Sequence, residues 1–282
     1  MKRKFIVLTD FSPAGARAQA YAAALAGPLG AVVHLVHVAA MMPITALEYG
    51  LSMPVMDRGY VREIHGLLNQ AAARLPVPAT SEVIENDWYP AIEQVLAAHR
   101  PVLLIAGLTA TTGRLDEWFS NRPLPLVHDT GYPLLLVPEH LPDTVLHPPH
   151  RLALAVRDEP FALTSQVLTL APLLDILKAT LVPVTVVPPD AAQIAGQRAW
   201  HAAQQCHLAD KLDFSELHRV VAEEPAAGIV QAVKELSADM LALLDPGHGW
   251  VETLFGGSII DEVLRHTPVP VLLLATRKMP RG

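Results

Sequence analysis

The chain is built from two copies of one pattern. Phe5–Thr9 is a short apolar run ending at Asp10, and an Ala-rich helical stretch, Ala14–Ala26, follows it. Leu152–Val156 is a similar run, with a helical stretch around Ala162–Lys178 behind it. Ala31–Val38 then matches Leu181–Val187 as the second strand, and Thr80–Ile84 matches Leu217–Val221 as the third. Val102–Ala106 matches Met240–Leu244 as the fourth, and Leu134–Val137 matches Val271–Leu274 as the fifth. Phe5 to Leu134 spans 129 residues and Leu152 to Val271 spans 119; most of the difference is an additional segment, Met41–Arg58. Strands that alternate with helices imply a parallel sheet with right-handed crossovers. The expected fold is therefore α/β, with two doubly wound, five-stranded, Rossmann-like domains in tandem. They are expected over residues 1–140 and 151–282, joined by a Pro-rich linker at 141–150.

Composition narrows the function. Over 282 residues, 51% hydrophobic and 17% charged residues exclude a disordered polyampholyte. Lys and Arg total 21 against 28 Asp and Glu, a net −7, which argues against a nucleic-acid partner. The single cysteine, Cys206, excludes an intrachain disulfide framework and fits a reducing cytoplasm. No secretory signal is read at the N-terminus, because the apolar run after Met1–Lys4 breaks at Asp10. Ala18–Leu47 carries no Asp, Glu, Lys or Arg and is long enough for a membrane span. Gly27, Pro28 and Gly30 interrupt it, however, so it reads as helix, turn and buried strand. No membrane partner is expected.

In such a sheet, ligands bind outside the carboxyl ends of the strands, where the strand order reverses. The loop after the first strand reads Thr9-Asp10-Phe11-Ser12-Pro13. Asp10 could accept hydrogen bonds from a base or ribose, with Val38 at the end of the second strand beside it. The same loop also reads as a helix cap, with Asp10 or Ser12 capping and Pro13 at the first helical position. The loop after the fourth strand begins at Gly107 and runs to Ser120-Asn121. In the second copy the corresponding loops are Arg157-Asp158-Glu159-Pro160 and Asp245-Pro246-Gly247-His248-Gly249. Gly256-Gly257-Ser258 then precedes an amphipathic helix, Ile259–His266. Glycines before a helix N-terminus can cradle phosphate, although Ser258 is also an ordinary N-cap.

These residues resemble the universal stress protein family in its tandem form. The carriers are Ile6-Val7-Leu8-Thr9-Asp10-Phe11-Ser12-Pro13, the Gly247-His248-Gly249 turn, Gly257-Ser258 and the ending Thr267–Leu274. The resemblance implies an adenine nucleotide alpha hydrolase-like fold, and ATP as the candidate cofactor. ATP-binding members carry Gly, two residues, Gly, nine residues, then Gly and Ser or Thr. The first copy keeps the spacing as Gly107, Ala110, Ser120 and Asn121, but loses two glycines. The second keeps Gly257-Ser258 but places seven residues between Gly249 and Gly257, and Arg157 stands where the first copy has Asp10. Each copy thus keeps a different part of one site. The Asp10 loop alone is expected to be insufficient for micromolar ATP binding.

Other chemistry is sparse. His34 and His37 read as structural, and neither the linker group His140, His147 and His150 nor the helical set His201, Cys206 and His207 has the spacing of a closed metal site. No nucleophile elbow, Walker loop, catalytic carboxylate pair or His-Glu-x-x-His occurs. Met41, Met42, Met53 and Met56 lie in the additional segment, which reads as a loop over its own sheet or as a lid or partner surface. The expected function is a cytoplasmic stress-response binding protein without catalytic turnover, with partial adenine nucleotide binding. The alternatives are a ligand-free interaction protein and a weak ATP hydrolase or nucleotide-dependent switch. Leu134–Val137 and Val271–Leu274 are each an apolar last strand, so they are expected to pair antiparallel within one chain as a pseudo-dimer. A homodimer through the Met-rich segment stays open.

Overall fold

A computed structural model of the chain describes residues 2–39, 42–46, 51–55, 58–109, 123–190, 196–209, 217–245 and 259–277, leaving out the side chains of 42–46, 51–55 and 123–124. The first half runs β1 (Lys4–Leu8), α1 (Pro13–Leu29), β2 (Val32–Ala39), β3 (Met42–Ala46), β4 (Leu51–Val55), α2 (Arg58–Arg74), β5 (Ala79–Glu85), α3 (Trp88–His99), β6 (Leu103–Leu108), α4 (Pro123–Thr130) and β7 (Leu134–Pro138). A short 3-10 turn, Asp143–Val145, follows. The second half runs β8 (Arg151–Ala155), β9 (Ala162–Leu163), α5 (Ser165–Leu168), α6 (Ala171–Leu177), β10 (Thr180–Val187), α7 (Gln197–Gln205), β11 (His218–Val221), α8 (Pro225–Glu235), β12 (Met240–Asp245), α9 (Ile259–His266) and β13 (Val271–Arg277).

One sheet threads both halves in the order β11-β10-β8-β12-β13-β7-β6-β1-β2-β5. Within each half the strands are parallel, and the order reverses between β1 and β6 and between β8 and β12. Every residue of β6 and of β12 is buried. That is why these strands read as continuous apolar runs: a parallel sheet is covered on both faces. No helix among the described residues is long and apolar enough to cross a membrane.

The halves meet where β7 and β13 pair antiparallel, with Leu134 opposite Leu273, Leu135 opposite Leu272 and Leu136 opposite Val271. This is the predicted junction. Beyond it, β9 pairs with Thr276 and Arg277 of β13, and the Thr164 N–H donates to the Ala275 carbonyl. The β13 edge is therefore covered along its length. The Thr164 hydroxyl also donates to the Gly131 carbonyl of the first half, at 2.8 Å.

Three local expectations are corrected. α1 does not break at Gly27 or Pro28 but runs through both to Leu29. Pro28 lacks the N–H that would bond the Ala24 carbonyl, yet the helix continues through it. The stop is Gly30, at φ 58°: its N–H bonds to the Gly27 carbonyl, while that of Ala31 bonds to the Ala26 carbonyl. That pair of bonds is a Schellman closure, which needs the left-handed conformation glycine adopts without strain. The stretch Ala162–Lys178 is not one helix but β9, α5 and α6. Thr164 caps α5 through its hydroxyl, and Pro172 in the first turn of α6 forces a restart. The additional segment contains an antiparallel ribbon, β3 with β4, separate from the main sheet.

The junction should carry measurable stability. Leu135→Ala and Leu272→Ala each remove a buried side chain and are expected to cost about 2–5 kcal/mol in urea unfolding. Because the two are register partners, the double variant should depart from additivity by more than about 0.5 kcal/mol.

Candidate functional site

At the order reversal in the first half, the chain leaves β1 through Thr9 and Asp10. The Thr9 N–H continues the sheet by donating to the Val36 carbonyl, 2.9 Å. The Thr9 hydroxyl oxygen accepts from Gln19 Nε2 at 3.0 Å and from the Phe11 N–H at 3.4 Å. His37, late in β2, donates from Nδ1 to the Thr9 carbonyl at 2.8 Å. Asp10 is exposed, and its Oδ1 accepts from the Ser12 N–H at 3.0 Å. Ser12 caps α1, its hydroxyl oxygen accepting from the Gly15 N–H at 3.0 Å, with Pro13 next in line. The cap expected from the sequence is thus present and falls to Ser12. The Asp10 carboxylate is held by its own loop and still faces solvent.

Phe11 is the unusual residue. Its φ of 64° is a conformation that aromatic residues rarely adopt. The turn projects the ring outward, 37% exposed, with its centroid 5.0 Å from that of His37. Val38, the next residue of β2, is partly buried against the core. Phe11 and Ser12 also open onto a groove of about 630 Å³ between α1 and α2, floored by Ala16, Ala20 and Ala23.

Gly107 lies in β6, opposite Val137 of β7. A Cβ there would stand 2.2 Å from the Ala14 carbonyl carbon and 2.3 Å from its oxygen. The glycine is therefore required for α1 to lie against β6, a packing demand that the phosphate reading did not include. Ser120 and Asn121 lie outside the described residues, as do Gly247, His248, Gly249, Gly256, Gly257 and Ser258.

Asp158 does different work from Asp10. Its Oδ1 accepts from the N–H groups of Arg198 and Ala199, at 2.9 and 3.0 Å, at the N-terminus of α7. Partial burial raises the carboxyl pKa, but hydrogen bonds from the backbone of Ala199, Gly196 and Arg198 outweigh it and hold the group below its ordinary value. The second half has spent its acidic side chain on a helix cap. Cys206 is buried, which pushes its thiol up and away from a reactive thiolate.

Sequence reasoning treated His34 as a lone structural histidine. The fold instead brings it together with Glu82 of β5 and His99 of α3, residues 48 and 65 positions away. Burial chiefly, then His99, holds His34 below its ordinary value. No local spacing could have revealed this group, because register and the return of α3 assemble it.

A sequence profile of the universal stress protein family matches residues 1–138 and 165–275. No curated protein matches the chain. A universal stress protein from Archaeoglobus fulgidus DSM 4304 superposes with a TM-score of 0.65 at 16% identity, covering 96% of this chain and 97% of that one. A functionally unknown protein from Pseudomonas aeruginosa PAO1 gives 0.54 at 14% identity, over 97% and 92%. The cytoplasmic domain of a prokaryotic cation chloride cotransporter gives 0.50 at 13% identity, over 97% and 95%. At these identities the structural likeness establishes the fold.

Two outcomes check the residue assignments. Gly107→Ala should cost more than about 2 kcal/mol, read by thermal unfolding, because the Cβ meets backbone that cannot move aside cheaply. Asp158→Ala should cost about 1 kcal/mol at neutral pH, as loss of a helix cap. A folded-state pKa below the unfolded one makes this contribution full above about pH 4 and lost as pH falls through the lowered value. The two unfolding curves should therefore converge toward about pH 2.

Proposed function

The chain belongs to the universal stress protein family, and on that premise we propose that it is a cytoplasmic stress-response protein that binds an adenine nucleoside in its first half, without turnover. The observation that carries this reading is the contrast between the two acidic loops. Asp10 is exposed at the order reversal, beside the Phe11 and His37 rings, whereas Asp158 is engaged by α7. Asp10 would accept from ribose hydroxyls, and the Phe11 ring offers a flat apolar face to a purine. Phosphate adds little, since Ala110 and Ser120 stand where nucleotide-binding relatives use glycine. Recognition without a phosphate cradle supports binding and no transfer of the γ-phosphate.

Calorimetric titration tests this directly. Adenosine and ATP are expected to bind one site with affinities within about tenfold of each other, weaker than micromolar, and Asp10→Ala should weaken both by about tenfold. ATP binding far tighter than adenosine would mean that the phosphates are gripped after all. Phosphate release from ATP above the buffer rate would favour the hydrolase reading. The groove between α1 and α2, with Leu67 exposed at its rim, favours the ligand-free interaction protein as the second reading. No heat with either ligand, and no nucleotide released on denaturing the purified protein, would select it.

A further inference from the structure

On β2, β5 and the end of α3, with His34 level with Ile6 of β1, three side chains converge on one point. His34 Nε2 lies 3.3 Å from Glu82 Oε2, and His99 Nε2 lies 2.9 Å from the same oxygen. The imidazole centroids are 4.2 Å apart, and one potential ligand atom from each of the three residues lies within 4.8 Å of the others. From this geometry we propose that His34, Glu82 and His99 form a binding site for a divalent first-row transition ion of the zinc type.

The donor set favours such an ion over magnesium or calcium, which take oxygen ligands. Two imidazoles and one carboxylate with an open fourth position are a recognised zinc arrangement. Tetrahedral zinc with bonds of about 2.0–2.1 Å sets ligand atoms ~3.3 Å apart, close to the two nitrogen–oxygen spacings here. The three residues stand on regular elements. His34 is opposite Thr80 in the β2–β5 register, Glu82 is two residues farther along β5, and His99 ends α3. Their side chains are 7%, 35% and 18% exposed, which leaves entry past Glu82.

The outer contacts set the affinity. Thr80 Oγ1 is 2.6 Å from His34 Nδ1, and a hydroxyl can accept from Nδ1–H once Nε2 turns its lone pair to a metal. Lys4 Nζ is 2.8 Å from His99 Nδ1. An ammonium only donates, so without metal Lys4 holds His99 with its proton on Nε2, bonded to Glu82. Metal must move that proton to Nδ1 and displace Lys4. Lys4 is a counterweight built into the site.

The test is competition for zinc between a chromogenic chelator and metal-stripped full-length protein. One tight equivalent is expected. His99→Ala and Glu82→Ala should each weaken it by more than about tenfold, while Lys4→Met tightens it. His147→Ala/His150→Ala, which removes the linker imidazoles, should leave it unchanged. Circular dichroism melting checks that each variant folds. If the ligand variants do not fold, cobalt in the wild-type chain decides: visible bands of a four- or five-coordinate site, filling at lower cobalt in Lys4→Met, are expected. Zinc affinity unchanged in both ligand variants, lost in the linker variant, or absent from the wild type overturns the site, as does a purely octahedral cobalt spectrum.

Discussion

Antiparallel pairing of β7 with β13 is the contact on which the rest of the molecule depends. Each of these strands ends its own half, and each is apolar on both faces. Unpaired, either would present buried-type side chains and unsatisfied backbone groups along an open edge. Leu134, Leu135 and Leu136 meet Leu273, Leu272 and Val271, so each half supplies what the other lacks. β9 then covers the rest of the β13 edge. Packing of α4 on β13, and of α1 on α6, extends the junction beyond the strands themselves.

The same pairing keeps the two candidate sites apart. Strands that pair antiparallel point their carboxyl ends in opposite directions. The crevice outside β1 and β6 therefore opens at one end of the sheet, and that outside β8 and β12 at the other. A partial site in one half cannot borrow a missing piece from the other. Divergence of the copies has direct chemical consequences. Asp10 stays at solvent on an Asx turn, and the displaced Asp158 reaches α7 and gives its lone pairs to backbone amides.

Small residues in the first half serve packing before ligands. The contact between Ala14 and Gly107 sets α1 directly on β6, and α1 in turn positions Ser12, Gln19 and the Thr9 hydroxyl. The strained φ of Phe11 is local to this loop, and strain of that kind persists where surrounding bonds over-determine the backbone. Here those bonds run from Thr9 to Val36, His37 and Gln19.

The sequence by itself determined the repeat, the five main-sheet strands of each half and their parallel direction. Those follow from apolar runs of strand length alternating with helical stretches, a signal carried within short windows. It also determined that a cap precedes Pro13, supplied by Asp10 or Ser12, and the pairing of the two last strands, since an apolar edge must be covered. Of the three breakers the sequence offered at the end of α1, the structure selects Gly30, through a left-handed closure local to Ala26–Ala31. Only the tertiary structure decided that Gly107 answers to Ala14 and that Asp158 answers to α7, contacts between residues 93 and 40 or more positions apart. His34, Glu82, His99 and Lys4 are the clearest case. Their meeting depends on strand register and on the return of α3 to the start of the sheet, and neither is written in the spacing of those residues along the chain.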